Sequence, residues 1–450
     1  MNIVPANEPW LDTVPTDWPS SRIRNVSQLS PSYSDGPPTP DELCTVVPME
    51  FLSESGAIDV SSVQPFEDVN GGLTLLEKGD VLFAKITPCM ENGKGAIVES
   101  LPTRYAFGST EFHVLRPNHL VDPKFLYYYT VNPVYRAYAA ENMTGAAGQK
   151  RVSSRFLKNT RLFLPLLPEQ QLIAAYLDAS CAAIDAAVAA KRGQLEILDE
   201  LRHSIIIRAV TQGVNPRADM RHSGLDWVPQ VPAHWKVQQI KRLCSLVRGQ
   251  FTHRPRNDPA LYDGPYPFVQ TGDITAAGKY IRTYSQTLNE LGLSVSKRFP
   301  RSTLVMSIAA NIGDVAILDF EACFPDSMIG MNPGHKTNLD FLYYLMRAMR
   351  SIMLRSAVQS TQLNLNYVRV GTNFVPVPPL KEQSAIAEYL DAKEHESHLI
   401  SSTIESQIAT LIAYRKSLIH ECVTGQRRIT ESDVQRAETQ RRFDNPCPKR

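Results

Sequence analysis

The sequence offers little to catalysis. Its seven cysteines are scattered without a CxxC pair, and no Cys–His spacing suits a metal site. The ten histidines include no HExxH. The one Gly-Lys-Gly, in "ENGKGA" at Glu91–Ala96, lacks the spacing and the Ser or Thr of a phosphate loop. No glycine-rich turn follows a strand and opens a helix, so no dinucleotide loop is read. The expectation is a chain without cofactor or metal. No apolar run reads as long enough to span a membrane. The start, "MNIVPANEPW", lacks the basic and apolar regions of a signal peptide. Scattered, unpaired cysteines and the missing leader predict a cytoplasmic protein. Charge of one sign is also lacking: the net charge is +1. A protein that binds DNA alone is usually more basic, so DNA binding here would need a partner's phosphate contacts.

What is present is repetition. All four tryptophans lie in "WLDTVPTDW" (Trp10–Trp18) and "WVPQVPAHW" (Trp227–Trp235), which align without a gap. "KFLYYY" (Lys124–Tyr129) answers "DFLYYL" (Asp340–Leu345), and "EQQLIAAYLD" (Glu169–Asp178) answers "EQSAIAEYLD" (Glu382–Asp391). "RHSIIIRAVT" (Arg202–Thr211) answers "RKSLIHECVT" (Arg415–Thr424). A period above about 200 residues is a duplicated domain rather than a solenoid, whose repeats run to roughly 50. The paired tryptophans read as framework that packs a small core in each copy.

Each copy has two textures. The first is β-rich, with short runs such as "GDVLFAKITP" (Gly79–Pro88), "STEFHVLRP" (Ser109–Pro117), "STLVMSIAANIGDVAIL" (Ser302–Leu318) and "TNFVPVPPL" (Thr372–Leu380). "PKFLYYYTVNPVYRAYA" (Pro123–Ala139) predicts a helix broken at Pro133. The second texture is a long helix over Glu169–Thr211 and again over Glu382–Thr424. Ile173, Leu177, Ile184, Val188, Leu195, Leu198 and Ile205 fall at heptad-like steps in the first. Ile386, Leu390, Ile404, Ile408, Leu411 and Leu418 mark the seam of the second. A single stripe cannot be buried by one helix alone, so the two are expected to pack together. Ile206 and Ile207 lie outside the seam and read as a second face open to a partner. The helices match without a gap, and 15 of their 43 aligned positions are identical. The β-rich loops scarcely match. Two copies of one scaffold thus carry two different surfaces, which suggests two different targets.

These phrases, twice and in order, resemble the specificity subunit of type I restriction-modification systems. The resemblance runs from Trp10 to about Gly425. Its carriers are the two tryptophan phrases, "GDVLFAKITPCMENGKGAIVE" (Gly79–Glu99) and "FGSTEFHVLRP" (Phe107–Pro117). "LPLLPEQQLIAAYLD" (Leu164–Asp178) and "VPVPPLKEQSAIAEYLD" (Val375–Asp391) add the starts of the helices. "VTQG" (Val210–Gly213) and "VTG" (Val423–Gly425) add their ends. The resemblance implies an α+β fold with a pseudo-two-fold internal repeat. Two homologous α/β target recognition domains would be separated by two long conserved helices packed as an antiparallel coiled coil. The boundaries expected are 1–167 and 227–380 for the recognition domains, 168–212 and 381–425 for the helices. The remainder is a linker at 213–226 and a polar tail at 426–450. It further implies a non-catalytic, sequence-specific DNA-binding chain. Each domain would read one half of a bipartite site in double-stranded DNA. The helices would set the spacing and dock two methyltransferase subunits, and motor-nuclease subunits would join through the complex. The alternative is a coiled-coil scaffold that reads no DNA. An enzyme reading through Asp80 and Glu99 is disfavoured, because Asp80 falls opposite Ser302 or Thr303 in the other copy.

Base reading needs donors and acceptors on base edges, while phosphate contacts set position. The candidates in the first copy are Lys94, Ser109, Thr110, Gln149, Lys150 and Arg151. Those in the second are Asn311, Gln362, Asn364, Asn366 and Arg369.

Overall fold

The computed structural model describes residues 3–33, 36–69, 73–146, 148–356, 365 and 367–444. The chain divides into two compact units, one of residues 1–192 with 405–450 and one of residues 193–404. Each unit holds one β-rich region and one part of each long helix.

In the first unit, the tryptophan phrase supplies the second strand of a hairpin. Ile3–Glu8 pairs antiparallel with Leu11–Pro15, with Val4 opposite Val14. Two four-stranded sheets follow. One runs in the order Val63–Pro65, Leu43–Val47, Tyr105–Gly108, Thr74–Leu76; the other runs Ser27–Leu29, Phe112–Pro117, Val81–Ala84, Gly95–Ile97. Val81–Ala84 is buried at every residue because it has strands on both sides and is covered on both faces. The predicted helix break is present. Pro123–Val131 ends at Asn132, whose side chain accepts from the Val134 amide and starts Pro133–Glu141. Proline suits that first turn, where its missing N–H costs nothing.

The second unit repeats the plan. Met220–Leu225 pairs with Val228–Pro232, again a hairpin on the tryptophan phrase. A five-stranded sheet runs Cys244–Arg248, Met328–Pro333, Leu304–Ser307, Val315–Leu318, Tyr280–Ile281. A four-stranded sheet runs Gln286–Leu288, Tyr262–Phe268, Ala322–Cys323, Arg298–Phe299.

The tryptophans are framework. Trp10 is buried edge-on against Tyr129 and Tyr135, at 5.5 and 5.4 Å between ring centroids. Trp18 and Trp235 are buried too. Trp227 departs from its counterpart Trp10. It is only half-buried, and Leu345 stands where Tyr129 stands in the first unit.

The long helices span Leu167–Gln212 and Leu380–Val423. They pack antiparallel. In the first unit Asp185 lies at Arg415 (3.1 Å), and further along Lys191 donates to Gln407 (2.6 Å). In the second unit Arg202 donates to Glu394 at 2.8 Å. Ile173, Leu177, Ile184, Val188 and Leu418 are buried in the first unit's core, with Ile408 and Leu411 half-buried against it. Ile386 and Leu390 are buried in the second unit's core, with Ile205 half-buried against it. Leu195, Leu198 and Ile404 are half-buried.

Two expectations are corrected. Ile206 is 2% exposed inside the second unit's core, and Ile207 packs partly against it, so neither offers a free outer face. The first long helix does contain an apolar stretch long enough to cross a membrane, by length and composition, with 44% of that stretch buried. Its alanines raise the hydropathy, while Ile173, Leu177, Ile184 and Val188 turn into the core. The tail is helical over Glu431–Asp444 and is tied to the first unit. Arg428 there reaches both Asp17 and Glu169 at 2.8 Å.

Candidate nucleic-acid interface

In the first unit the six candidates gather around the end of strand Val81–Ala84. The Ala84 amide donates to the Lys94 carbonyl, the Lys85 amide to Glu111, and the Val152 amide to Lys85. The Thr87 amide donates to the Lys150 carbonyl, and the Ser109 amide to Val47. Residues far apart in sequence therefore share one edge of the sheet. Their side chains are not equally available. The Lys94 ammonium donates to the Met49 carbonyl at 3.2 Å and ties two loops together. Ser109 accepts from the Glu111 amide at 3.2 Å. Thr110, Gln149 and Lys150 are exposed.

Arg151 is held by Glu111. Its Nη2 and Nε donate to the carboxylate at 2.7 and 3.0 Å. The guanidinium in turn holds the Glu111 carboxyl below its usual range. A pre-oriented arginine of this kind loses less freedom when it meets a phosphate or a guanine edge. Beneath it His113 is buried, and its Nε2–H donates to the Val152 carbonyl at 2.8 Å. Burial pushes this imidazole down to about 4. His113 stays neutral and fixes the loop that carries Lys150 and Arg151.

The second unit builds the matching edge differently. The Leu365 amide donates to the Ile308 carbonyl at 2.8 Å, as Val152 does to Lys85 in the first unit. The turn after Ala322–Cys323 carries Asp326, which pairs with Arg256 at 2.5 Å and accepts from Arg248 through its carbonyl at 2.7 Å. Both units thus set an acid and arginines at the same turn. Asn311 points elsewhere: its Nδ2 donates to Thr275, which donates to Asp314, each at 2.8 Å. Arg369 is exposed on the short helix Tyr367–Thr372. Gln362, Asn364 and Asn366 lie outside the described residues.

The sequence reading missed an open cleft of about 740 Å³ in this unit. Arg256, Asn257, Gln270, Gln286, Ser285 and Ser327 line it. The Gln270 Nε2 donates to the Gln286 Oε1 at 2.9 Å. The only hint was polar residues bracketing the strands at 262–268 and 286–288, which surface loops commonly have. Among the described residues, no group of three or more His, Cys, Asp or Glu side chains could hold a metal ion.

A second feature recurs in both units. Gln170 accepts from the Asp122 amide at 2.8 Å and donates to the Leu120 and Pro165 carbonyls. Gln383 accepts from Asn338 at 2.8 Å and donates to Lys336 and Pro378. One buried amide at each helix start thus locks the β-rich region onto the helix. The paired Gln was visible in the sequence repeat, but its role was not.

Comparison with known proteins gives one consistent picture. A family model described as the type I restriction modification DNA specificity domain matches twice, over residues 57–196 and 232–410. The type I restriction enzyme EcoAI specificity subunit of Escherichia coli is 32% identical over 165 residues. That match covers 36% of this chain and only 27% of the relative's length. A Methanocaldococcus jannaschii protein assigned as the type I restriction enzyme MjaX specificity subunit is 24% identical over 394 residues, 84% of this chain and 87% of its own. Among solved structures, a chain from work on complex assembly and conformational transition of the type I R-M system shares the fold. Its TM-score is 0.74 at 17% identity, covering 92% of this chain and 99% of that one. The HsdS subunit from Thermoanaerobacter tengcongensis has a TM-score of 0.54 at 17% identity, covering 92% and 98%.

Proposed function

Because the chain belongs to the family of type I restriction modification DNA specificity domains and carries that domain twice, we propose that it is the DNA-reading subunit of a type I restriction-modification complex. Each unit's β-rich edge reads one half of a split site in double-stranded DNA. The paired helices set the gap between the half-sites and dock two methyltransferase subunits, and motor-nuclease subunits join through the assembly. The chain works where that DNA lies, in the cytoplasm of a prokaryote, and contributes no bond-making step of its own.

The observation that carries this reading is the contrast within the repeat. The scaffold contacts of Gln170 and Gln383 are the same in both units. The edges around Arg151 and Arg256 are not. Same frame and different edge is what two related readers of two different half-sites require. Polar groups on those edges supply base contacts, and arginines supply phosphate or guanine contacts. The near-neutral net charge fits a reader that relies on partner subunits for most phosphate contacts.

The test is an exchange. Replacing the β-rich region of the first unit with that of a relative should change one half of the methylated sequence and leave the other intact. A change in both halves would defeat the modular reading. Binding of methyltransferase without any sequence preference would favour the scaffold alternative.

A further inference from the structure

Each unit carries a loop between two paired strands of its reading edge. In the first unit it covers residues 85–94, between Val81–Ala84 and Gly95–Ile97. In the second it covers residues 308–314, between Leu304–Ser307 and Val315–Leu318. Both loops turn on a glycine of positive φ, +82° at Gly93 and +83° at Gly313. The first presents Glu91 and Asn92 to solvent at its tip. Carboxylate and amide groups suit base edges, and a carboxylate repels phosphate. The second forms a wall of the open cleft through Ala309 and Ala310. Ala310 holds a φ of +58°, which side chains rarely adopt. Such a conformation persists only where its surroundings hold it.

What holds each loop is an arginine from the end of the aromatic region. Arg136, on Pro133–Glu141, is 4% exposed and spends its guanidinium on backbone. Its Nη1 donates to the Met90 carbonyl at 3.0 Å, its Nη2 to Lys94 at 3.1 Å and its Nε to Thr130 at 2.7 Å. The plane lies over Phe83, 4.0 Å from the ring centroid. Burial lowers the guanidinium to about 10, so it is still charged at neutral pH. Among the described residues no carboxylate pairs with it, so its work is to join the loop to the helix rather than to balance a charge. The fit is close: a Cβ on Gly95 would stand 3.1 Å from Nη2. The loop then aligns its neighbour, since the Thr87 amide donates to the Lys150 carbonyl at 3.0 Å.

In the second unit Arg350 pairs with Asp314 at 2.9 Å, and its stem packs on Gly313. In the aligned repeat Arg136 faces Ile352 and Arg350 faces Val134. The two units thus reach the same loop from different positions, which a demand of the loop itself explains and simple duplication does not.

We infer that Arg136 and Arg350 are positioning residues, each fixing the reading loop of its own unit in the shape that meets base edges. The assignment rests on the DNA reading under Proposed function and names what sets its geometry. Buried Arg136 acts only through Met90 and Lys94.

The test uses the full chain with its methyltransferase subunit. Binding is compared for the wild type's own methylated sequence, for duplexes changed in one half or the other, and for unrelated DNA. Arg136→Lys keeps the charge, but one ammonium cannot span the three carbonyls. It should lower discrimination at the first half-site by ~10-fold or more, with the second half and unrelated DNA unchanged. Gly95→Ala, which crowds the guanidinium, should act in the same sense. Arg350→Gln should relax the second half alone. A merely structural loss would instead lower the folded fraction and weaken every duplex alike. Wild-type discrimination in Arg136→Lys, or an equal loss at both halves, would overturn the assignment. Should that variant not fold, Gly95→Ala decides in the same way. If the wild-type complex itself shows no preference at either half, the DNA reading fails, and the assignment fails with it.

Discussion

The Tyr128 hydroxyl donates to the Asp178 carboxylate at 2.8 Å, and the repeat reproduces the bond, with Tyr344 donating to Asp391 at 2.6 Å. The ammonium that completes each group comes from a different place. Lys124 supplies it from the aromatic helix in the first unit, at 2.5 Å. In the second unit that helix position is Asp340, and Lys279 bridges Asp340 and Asp391 at 2.8 and 2.6 Å. Burial and the neighbouring carboxylate push both tyrosines well above their ordinary range, so they remain donors at any physiological pH.

Removing either hydroxyl should therefore loosen one recognition region from its helices. Tyr128→Phe and Tyr344→Phe should each cost roughly 1.5 kcal/mol, the low end for a hydrogen bond to a charged group, since each lysine remains. Urea unfolding of the two variants would measure this. A loss below about 0.5 kcal/mol in both would mean the bonds are incidental.

The tryptophans should differ in weight. Trp18→Ala should cost on the order of 3 kcal/mol, because the indole is buried against Phe125 in the first unit's core. Trp227→Ala should cost less than half as much, because that ring is half-exposed. Calorimetry of the two variants checks the order. A Trp18 variant that melts normally but loses only DNA binding would make that ring a reader and not framework.

His113 predicts a pH window. Its folded value, about 4, lies below the ordinary 6.5, so the unfolded chain binds the proton more readily. Stability contributed by the neutral imidazole is complete above pH 6.5 and is lost as pH falls towards 4. The loss approaches about 3 kcal/mol at the acid end. His113→Gln, which keeps a donor for the Val152 carbonyl, should flatten stability between those values when set beside wild type. An unchanged slope would show that other groups govern the window.

If the helices measure DNA, their length should appear in the recognition sequence. Four residues inserted after Ala190, matched by four after Gln407 on the facing helix, add about 6 Å of rise. That is nearly two base-pair steps of roughly 3.4 Å. Four residues make slightly more than one helical turn, so the buried face is kept. Methylation mapping should show both half-sites unchanged and the gap longer by about one or two base pairs. An unchanged gap in an active complex would mean that the helices dock partners without setting the spacing.

The sequence by itself determined what depends on local pattern and on repetition. The gap-free helix match, the heptad spacing of Ile173 to Ile205 and the helix break at Pro133 are all written in nearest-neighbour terms. The two tryptophan phrases announced two copies of one frame. Tertiary structure alone decided which polar groups are spoken for. Lys94 looked free until sheet order brought Met49 against it. Arg151 was one basic residue among several until Glu111, 40 positions away, took its guanidinium. Ile206 sits one residue past a seam position, and only the packing of the second unit turned it inward. Arg202 and Arg415 are identical in the aligned repeat, yet one is paired with Glu394 and the other with Asp185. Helix periodicity is a property of residues a few steps apart. The partner of a charge is set by strand order and helix pairing, which join residues that no local pattern connects.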